Sequence, residues 1–369
     1  NFAPFLNSLA KKSLYWEYAL SSSGRTFAAL PTLTGSLPFA QSGFLELPKI
    51  PNNFNLFNVL NKNNFTTTFL YGGNAEFDNM KSFVLSNENA KVIDEKDFSS
   101  AYKKLPGNNG DSWGYEDQAL FSKLLETPVS TSKPYFNVAL TLSTHNPFMI
   151  NNAAFFENRF DTYLKTAKLS PTQLEWAKSS RKALVSLINF DHAFEQFMKE
   201  YAKRPDYQNT IFVITGDHSM PEIPFQEKID RYQVPLIIHS PLLKTAKAFK
   251  NPVSHFDLAP SILAMYRETY KLDTPKKVTW VGHGLGASSN TGYPLMQTKS
   301  QIIDYIYKNY HFVDGALYEF NTTLNENLSN NTSTKQHVEN LFQTYKIKNK
   351  IFIHKQQLLP DSIYAQFIP

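Results

Sequence analysis

The chain has 369 residues, no cysteine, and 37 Lys and Arg against 32 Asp and Glu, which gives a formal net charge of +5. The basic residues form no block of about five or more, which argues against a nucleic-acid-binding tract. The absence of cysteine excludes disulfides and thiolate metal sites. No run of about 18 apolar residues occurs, so the sequence predicts no membrane span. Its length suits one large α/β domain or two modest ones.

Residues 21–35, SSSGRTFAALPTLTG, predict a flexible loop that enters a short helix. Thr26 lies at that entry, where the positive end of the helix dipole and a bound divalent cation would both stabilise its alkoxide. This position suits a nucleophile. The alternative is that Ser23 or Thr26 only caps the helix, as most Ser and Thr residues at such positions do.

Four apolar or β-branched runs predict strands, namely FTTTFLYGG, FNVALTLS, TIFVITGD and YQVPLIIHS. The segments between them are long enough for crossover helices, which predicts a largely parallel sheet covered on both faces. Residues 172–203 are the clearest helix, with Ser170 as N-cap and Pro171 at the first helical position. Asp191 and His192 within this helix are interpreted as structural.

Two of the predicted strands end in side chains that can do chemistry. In FNVALTLSTHNPF, Pro147 stops the strand, and His145 can bind a phosphoryl oxygen or protonate a leaving alkoxide. TIFVITGDHS resembles a buried strand that delivers Asp217 and His218 to a divalent ion such as Zn²⁺ or Mn²⁺ at the carboxyl edge of a sheet. The alternative for each histidine is a surface or structural role.

Other motifs are interpreted as scaffolding. In WGYEDQALF, Trp113 and Asp117 are expected to anchor the helix that follows. From about Tyr293 the pattern changes to two strands around an Asp314-Gly315 turn, and the helix KQHVENLFQTYKI comes next. This C-terminal part is expected to serve packing.

The order of these segments resembles the lipoteichoic acid synthase and phosphoglycerol transferase group of the alkaline phosphatase/sulfatase superfamily. GRT, TFLYGGNAEFDNM, WGYEDQALF, LTLSTHNPF, FVITGDHS and SHFDLAPSIL follow one another across nearly the whole chain. The resemblance implies an α/β, sulfatase-like sandwich, in which helices flank a central mostly parallel sheet, with a small C-terminal α+β subdomain. It assigns residues 1–292 to a catalytic core that lacks its first strand, and residues 293–369 to the subdomain.

The resemblance also implies a mechanism. Thr26 would take a phospholipid headgroup as a covalent phospho-threonine and pass it to the hydroxyl of a glycan or lipid acceptor. Asp217 and His218 would hold one divalent metal ion, Mn²⁺ or Zn²⁺ with Mg²⁺ as a further candidate, which Thr26 also contacts. His145 would contact the phosphate. A further acidic metal ligand is expected upstream of Asn1.

Substrate contacts are predicted at Arg25, Asn74, Asp78 and His255, besides His145. Glycerophosphate polymerases of the family carry a tryptophan and an arginine where this chain reads FDNM, so both phosphoglycerol and phosphoethanolamine donors stay open. His255 is expected near the mouth of the pocket or under it as a helix cap, and the His283 of VGHGLG is a weaker candidate.

The resemblance places the site at the outer face of the bacterial cytoplasmic membrane, in a periplasmic or extracellular domain that N-terminal transmembrane helices anchor in the full-length protein. The expected partners are an anionic or zwitterionic phospholipid and a glycan or lipid acceptor, and no nucleic acid. Two alternatives stay open: a phosphodiesterase or phosphatase that uses water as acceptor, and an inactive homologue that binds lipid as a sensor. No C/S-x-P-S-R segment occurs, which argues against sulfate-ester hydrolysis.

Overall fold

A computed structural model describes residues 2–128, 133–286, 292–299, 301–321 and 323–368. The helices are α1 (Pro4–Ala10), α2 (Ala29–Gly35), α3 (Leu56–Lys62), α4 (Met80–Leu85), α5 (Asp117–Leu125), α6 (Ala153–Thr166), α7 (Pro171–Ser179), α8 (Arg181–Tyr201), α9 (Leu258–Tyr270), α10 (Thr332–Lys355) and α11 (Asp361–Ala365). The strands are β1 (Leu14–Leu20), β2 (Thr66–Tyr71), β3 (Lys91–Ile93), β4 (Tyr135–Leu140), β5 (Phe212–Thr215), β6 (Gln233–His239), β7 (Lys247–Phe249), β8 (Val253–Ser254), β9 (Tyr293–Thr298), β10 (Gln301–Tyr307), β11 (Tyr310–Val313), β12 (Ala316–Phe320) and β13 (Glu326–Leu328).

The strands form three sheets among the residues that the structure describes. The order β3-β2-β4 is parallel throughout, whereas the order β5-β6-β1-β7 is mixed, with β8 beside β1. The predicted α/β class is confirmed, but β6 runs antiparallel to both β1 and β5, contrary to the largely parallel pattern that we predicted. Pro235, which has no amide to donate, lies in β6 opposite the register shift between Trp16 and Ala19, where a proline is tolerated.

The predicted helix over residues 172–203 is two helices, α7 and α8, with Ser180 between them. The side chain of Ser170 accepts a hydrogen bond from the amide of Gln173, as the N-cap prediction requires. The hydroxyl of Ser179 donates a hydrogen bond to the carbonyl of Trp176. Such a bond competes with the backbone hydrogen bonds of the helix and weakens the helix near the serine. No helix in the described part of the chain is both long and apolar enough to cross a membrane.

The carboxylate of Asp191 caps α1 from inside the fold. Its oxygens accept hydrogen bonds from the amides of Phe5 and Leu6 at 2.9 and 2.8 Å, which satisfies two donors at the start of that helix. His192 lies 3.5 Å from Arg159, on the side of α8 that meets α6. Both placements agree with the structural interpretation of these residues.

The C-terminal sheet has the order β13-β12-β11-β10-β9 and is antiparallel. Asp314 and Gly315 both have positive φ, 52° and 74°, which fits the predicted turn between β11 and β12. A second turn at Lys308, with φ 55°, separates β10 from β11, so three strands replace the two that we predicted. The boundary between residues 292 and 293 remains a prediction.

A buried ion cluster joins this sheet to the segment before β6. His311 has no exposed side-chain surface, and its Nδ1 lies 2.6 Å from Glu326 Oε1 while its Nε2 lies 3.6 Å from Asp304 Oδ2. Tyr232 donates to Asp304 at 2.6 Å, and the amide of Ile229 donates to Glu326 at 3.0 Å. Burial alone lowers the pKa of His311, but its hydrogen bonds and ion pairs with the two carboxylates outweigh burial and raise that pKa.

The His311 cluster predicts a pH-dependent stability. A histidine whose folded pKa is raised contributes stability that is complete below about pH 6.5 and is lost as the pH rises through the raised value. We expect His311→Leu, which leaves two carboxylates without their cation, to lower the free energy of unfolding by about 3 to 5 kcal/mol at about pH 6, and by less at about pH 9. Urea unfolding at both pH values measures the difference. The exposed His354 provides the control substitution, and an equal loss at the two pH values would contradict the prediction.

Candidate active site

Four of the predicted site residues line one cavity. This cavity has a volume of about 1320 Å³, and Thr26, His145, Asp217 and His218 all contribute to its wall. Thr26 follows β1, His145 follows β4, and the Asp217-His218 pair follows β5. Polar groups from three strand ends are therefore brought to one place.

The hydroxyl of Thr26 donates to Asp217 Oδ2 at 2.7 Å, across 191 residues of sequence. Thr26 begins a 3₁₀ turn, Thr26–Ala28, that leads directly into α2, and neither element has a side-chain N-cap hydrogen bond. The alternative interpretation of Thr26 or Ser23 as a helix cap therefore has no support in the structure. A threonine hydroxyl held by a carboxylate can transfer its proton as its oxygen attacks an electrophile.

The loop that carries Thr26 pairs with β9 of the C-terminal sheet. The amide of Met296 donates to the carbonyl of Ser22, and the amide of Gly24 donates to the carbonyl of Met296, both at 3.1 Å. A Cβ on Gly24 would lie only 3.0 Å from the carbonyl oxygen of Gln297. The glycine before Arg25 is therefore explained by the close approach of two backbones.

Backbone carbonyls fix the tautomers of two site histidines. His218 Nδ1 lies 2.6 Å from the carbonyl oxygen of Ser219, and His145 Nδ1 lies 2.6 Å from that of Asn146. A carbonyl oxygen can only accept, so each Nδ1 carries the proton, and in the neutral ring the lone pair is on Nε2. This is the arrangement in which a histidine binds a metal ion or takes a proton through Nε2.

The donor set at the end of β5 is compatible with a divalent metal ion. His218 Nε2 lies 3.5 Å from Asp217 Oδ2, and that oxygen lies 2.7 Å from Thr26 Oγ1. One imidazole nitrogen, one carboxylate and one hydroxyl suit Mn²⁺, Zn²⁺ or Mg²⁺. Within the described ranges, however, no group of three or more His, Cys, Asp or Glu side chains is placed to hold a metal. The residues fit the ion, and further ligands must come from elsewhere.

His255 does not have the substrate contact that we predicted. Its side chain is buried, is not part of the cavity wall, and uses both ring nitrogens within the protein. Nε2 bonds the carbonyl oxygen of Gly216 at 2.9 Å, and Nδ1 accepts from the amide of Ser22 at 3.3 Å. Burial lowers the pKa of His255 to about 4, so the ring is neutral at physiological pH.

Of the predicted substrate contacts Arg25, Asp78 and Asn74, the first two line the cavity and the third does not. Arg25 is exposed in the cavity wall beside Thr26. Asp78 also lines the cavity, but Lys299 Nζ lies 2.6 Å from its carboxylate, which compensates the charge. Asn74 is exposed outside the cavity wall and accepts a hydrogen bond from the amide of Glu76, so the structure does not support a substrate contact there.

Three cavity residues were missed by our sequence analysis as site residues. Lys299 reaches the site from the end of the C-terminal sheet, and its Nζ also lies 2.6 Å from Glu46 Oε1. No feature of the sequence around Lys299 marks it as a site residue. Trp113 is 43% exposed, and its ring centroid lies 4.6 Å from that of His145. Burial, and then the charge of Asp217, raise the pKa of the Tyr71 phenol, which stays protonated as a hydrogen-bond donor. Of the three residues, only Trp113 and Tyr71 lie in motifs that the sequence analysis singled out, so only these two could have been suggested as site residues.

Asp117, which we expected to anchor α5, joins the start of that helix to the loop that carries His145. Its fully buried Oδ1 accepts from the amides of Leu142 and Ser143 at 2.7 and 3.0 Å. The hydroxyl of Ser143 accepts a hydrogen bond from the amide of Asp117 at 3.1 Å. Burial raises the pKa of Asp117, against the effect of these hydrogen bonds. The start of α5 and the end of β4 are thereby fixed to each other.

The edges of β4 and β5 face the cavity. The cavity is lined without interruption by residues 134–142 and 209–223. Side chains alternate between the two faces of a strand, so a cavity on one face would meet only every second residue. A cavity that meets every residue therefore lies along the edge of the strand. In the described part of the chain, β4 pairs only with β2 and β5 only with β6. TIFVITG was predicted to be a buried strand, whereas the residues of β5 are all half-buried, since one edge of the strand faces the cavity.

Comparison with known proteins identifies related chains. A family model described as Sulfatase matches residues 1–266. Lipoteichoic acid synthase 2 of Bacillus subtilis (strain 168) is 26% identical over 288 residues, which are 70% of this chain and 40% of that protein. This chain spans between 40% and 50% of the length of the three Bacillus subtilis relatives that it matches.

Solved structures share the fold. A protein of the alkaline phosphatase superfamily from Vibrio parahaemolyticus superposes with a TM-score of 0.71 at 19% identity, over 94% of this chain and 82% of that one. A lipoteichoic acid synthase from Listeria monocytogenes gives 0.70 at 14% identity, over 98% and 88% of the two chains. The resemblance that the motifs indicated and the predicted fold class are both confirmed.

The placement of Asp217 and His218 predicts where a metal ion binds. Loss of a residue that hydrogen-bonds a metal ligand typically weakens metal binding by about 10- to 100-fold. Loss of a ligand itself, in Asp217→Ala or His218→Ala, should therefore weaken Mn²⁺ binding by about 100-fold or more. Calorimetric titration with Mn²⁺ measures the affinity. His192→Ala, which removes a histidine outside the cavity, should bind Mn²⁺ like the parent protein. Equal affinities in all four proteins would disprove the assignment.

Proposed function

Because the chain belongs to the sulfatase family, we propose that it is a metal-dependent phosphotransferase that moves a phosphoglycerol-type headgroup from a phospholipid to a glycan or lipid acceptor. The observation that carries the proposal is the hydrogen bond of 2.7 Å between Thr26 Oγ1 and Asp217 Oδ2, beside His218. The relatives named as lipoteichoic acid synthases support this class of reaction. The proposed donor lies in a membrane, so the site would work at a membrane surface. The family resemblance favours the outer face of the cytoplasmic membrane.

The proposed first step forms a covalent phospho-threonine. Thr26 Oγ1 attacks the phosphorus, its proton passes to the Asp217 carboxylate, and the bond from phosphorus to the glycerol oxygen of the lipid breaks. His145, in its imidazolium form, gives the leaving oxygen a proton from Nε2, and diacylglycerol is released. Arg25, which is exposed in the cavity wall, would contact the phosphoryl oxygens.

The second step transfers the group. The acceptor hydroxyl gives its proton to Nε2 of the now neutral His145, its oxygen attacks the phosphorus, and the bond to Thr26 breaks, with the proton returning from Asp217. Asp217, His218 and Thr26 would hold the metal ion, which when bound supplies Lewis acidity that lowers the pKa of the threonine hydroxyl and neutralises charge on the phosphoryl oxygens. Sulfatase-family enzymes generally use such an ion. If water takes the place of the acceptor, the same steps give a phosphodiesterase.

Headgroup release tests this function. Phosphatidylglycerol and phosphatidylethanolamine with labelled headgroups are incubated with the protein, with Mn²⁺ or with a chelator, and with or without a glycan acceptor. We expect Mn²⁺-dependent release that Thr26→Ala lowers by about a thousandfold or more, because the variant has no nucleophile.

The control is Thr344→Ala, which removes a hydroxyl that bonds only within its own helix, to the carbonyl of Asn340. Release that survives Thr26→Ala would refute the covalent mechanism. Release without transfer in the presence of acceptor would identify a phosphodiesterase. Absence of both Mn²⁺ binding and release would favour an inactive lipid-binding homologue, in line with the incomplete ligand set.

We also propose that polypeptide preceding Asn1 adds a strand between β4 and β5 and carries the missing acidic ligand. The cavity there exceeds the range of about 300 to 1,000 Å³ that ligand pockets occupy, and both of its long walls are strand edges. Unpaired backbone donors and acceptors in such a place favour an added strand. Leu6 of α1 lines the same cavity, so α1 lies beside the place proposed for the strand.

Hydrogen exchange tests the added strand. We expect the amides of β4 and β5 that face away from β2 and β6 to exchange at least about tenfold more slowly when the upstream segment is present, because they gain backbone partners. Exchange is measured by mass spectrometry on residues 1–369 and on the longer protein. The amides of the β10–β11 pair serve as the internal control. Equal exchange of β4 and β5 in the two proteins would rule the strand out.

A further inference from the structure

We propose that His255 is a positioning residue, which holds the loop of the nucleophile and the strand end of the metal ligands at a fixed separation. The inference rests on the proposed function for its kinetic test, since it assigns a role within that reaction. His255 touches no cavity space and so contacts neither substrate nor reacting atoms. Its effect on catalysis is exerted through the two backbone groups that it bonds.

One imidazole ring connects the two loops. The amide of Ser22 donates to His255 Nδ1 at 3.3 Å, and His255 Nε2 donates to the carbonyl oxygen of Gly216 at 2.9 Å. An amide can only donate and a carbonyl can only accept, so the ring is held as the neutral tautomer with its proton on Nε2. No other protonation state of the ring makes both bonds.

The two bonded groups are close in sequence to the reacting groups. Ser22 precedes Thr26 by four residues, and Gly216 directly precedes Asp217. The hydroxyl of Ser22 also bonds the hydroxyl of Thr32 in α2 at 2.8 Å. The loop before Thr26 is therefore attached to the helix that follows Thr26. A change in the separation of Ser22 and Gly216 therefore changes the separation of Thr26 and Asp217.

The segment that carries His255 is itself rigidly held. Asp257 Oδ1 accepts the amides of His283 and Gly284 at 2.9 and 3.0 Å, and Oδ2 accepts the amide of Ser254 at 3.0 Å. A Cβ on Gly282 would lie 2.1 Å from the carbonyl oxygen of Phe256, so the two backbones are in direct contact. Because these contacts lie outside the cavity, the ring is a fixed reference that adds a second link between two loops already joined by the hydrogen bond between Thr26 and Asp217.

A purely structural histidine predicts a different outcome. If His255 only fills volume, a ring of similar size without nitrogens keeps the activity of the folded protein. If it sets the geometry of the site, the same substitution lowers kcat, because a misplacement of about 1 Å can cost about a hundredfold in rate. Rate constants measured on the folded variant distinguish the two roles, whereas its stability does not.

The experiment compares His255→Phe and His255→Gln with the parent protein, each with its upstream segment. For His255→Phe we expect kcat for headgroup release to fall by about a hundredfold with KM for the phospholipid unchanged, and Mn²⁺ affinity to fall by about 10- to 100-fold. Exchange of the Ser22 amide should become faster. His255→Gln retains a donor near the position of Nε2, so it should recover part of kcat and of the metal affinity.

His239→Phe is the matched control. This histidine is half-buried and bonds Ser13 Oγ at 3.1 Å, but it pairs with Phe212 at the opposite end of β5 from Asp217. It should leave kcat, Mn²⁺ affinity and Ser22 exchange unchanged. A folded His255→Phe protein with parental kcat and parental exchange at Ser22 would overturn the proposal.

Two measurements keep the test decisive. Should His255→Phe not fold, the ¹⁵N shifts of the parent protein report the tautomer, and a proton on Nδ1 instead of Nε2 overturns the proposal. Should the parent protein release no headgroup, the proposed function fails, while Mn²⁺ affinity and Ser22 exchange still decide the role of His255.

Discussion

The antiparallel placement of β6 between β1 and β5 is the constraint on which the site depends. Both neighbours oppose β6 in direction, so they run parallel to each other and end at the same edge of the sheet. The loop of Thr26 leaves that edge after β1, and Asp217 leaves it after β5. A hydrogen bond between residues 191 positions apart needs this arrangement, since neither loop reaches the other from opposite edges.

Several independent contacts then refine the position of the nucleophile. The C-terminal sheet bonds the carbonyl of Ser22 and the amide of Gly24, while His255 takes the amide of Ser22 from within the core. Lys299 brings a cation to the same cavity, where Asp78 and Glu46 neutralise it. The C-terminal sheet thus takes part in building the site, in addition to the packing role that the sequence suggested.

The chemistry of the site was readable from local sequence, and its geometry was not. An apolar run followed by polar side chains marks a strand end whatever the partner strands are, which is why His145, Asp217 and His218 could be named, whereas Thr26 was indicated by its place at the entry to a short helix. The direction of β6 leaves no trace in its pattern of side chains, because strands of either direction can be apolar. Lys299 pairs with the carboxylates of Glu46 and Asp78, and His255 bonds the backbone of Ser22 and Gly216, all distant in sequence, so no motif could reveal either role. Asn74 was misjudged because a turn placed its side chain outside the cavity.

The open edges of β4 and β5 have a consequence for how this span of chain behaves on its own. In the described part of the chain, one edge of β4 and one edge of β5 have no strand partner, and Val138, Leu140, Val213 and Ile214 lie along these edges. Such an edge is a template on which another molecule can continue a sheet. Two such edges in one molecule would allow propagation from copy to copy. Exposed edges of this kind favour self-association through β4 and β5, in competition with correct folding.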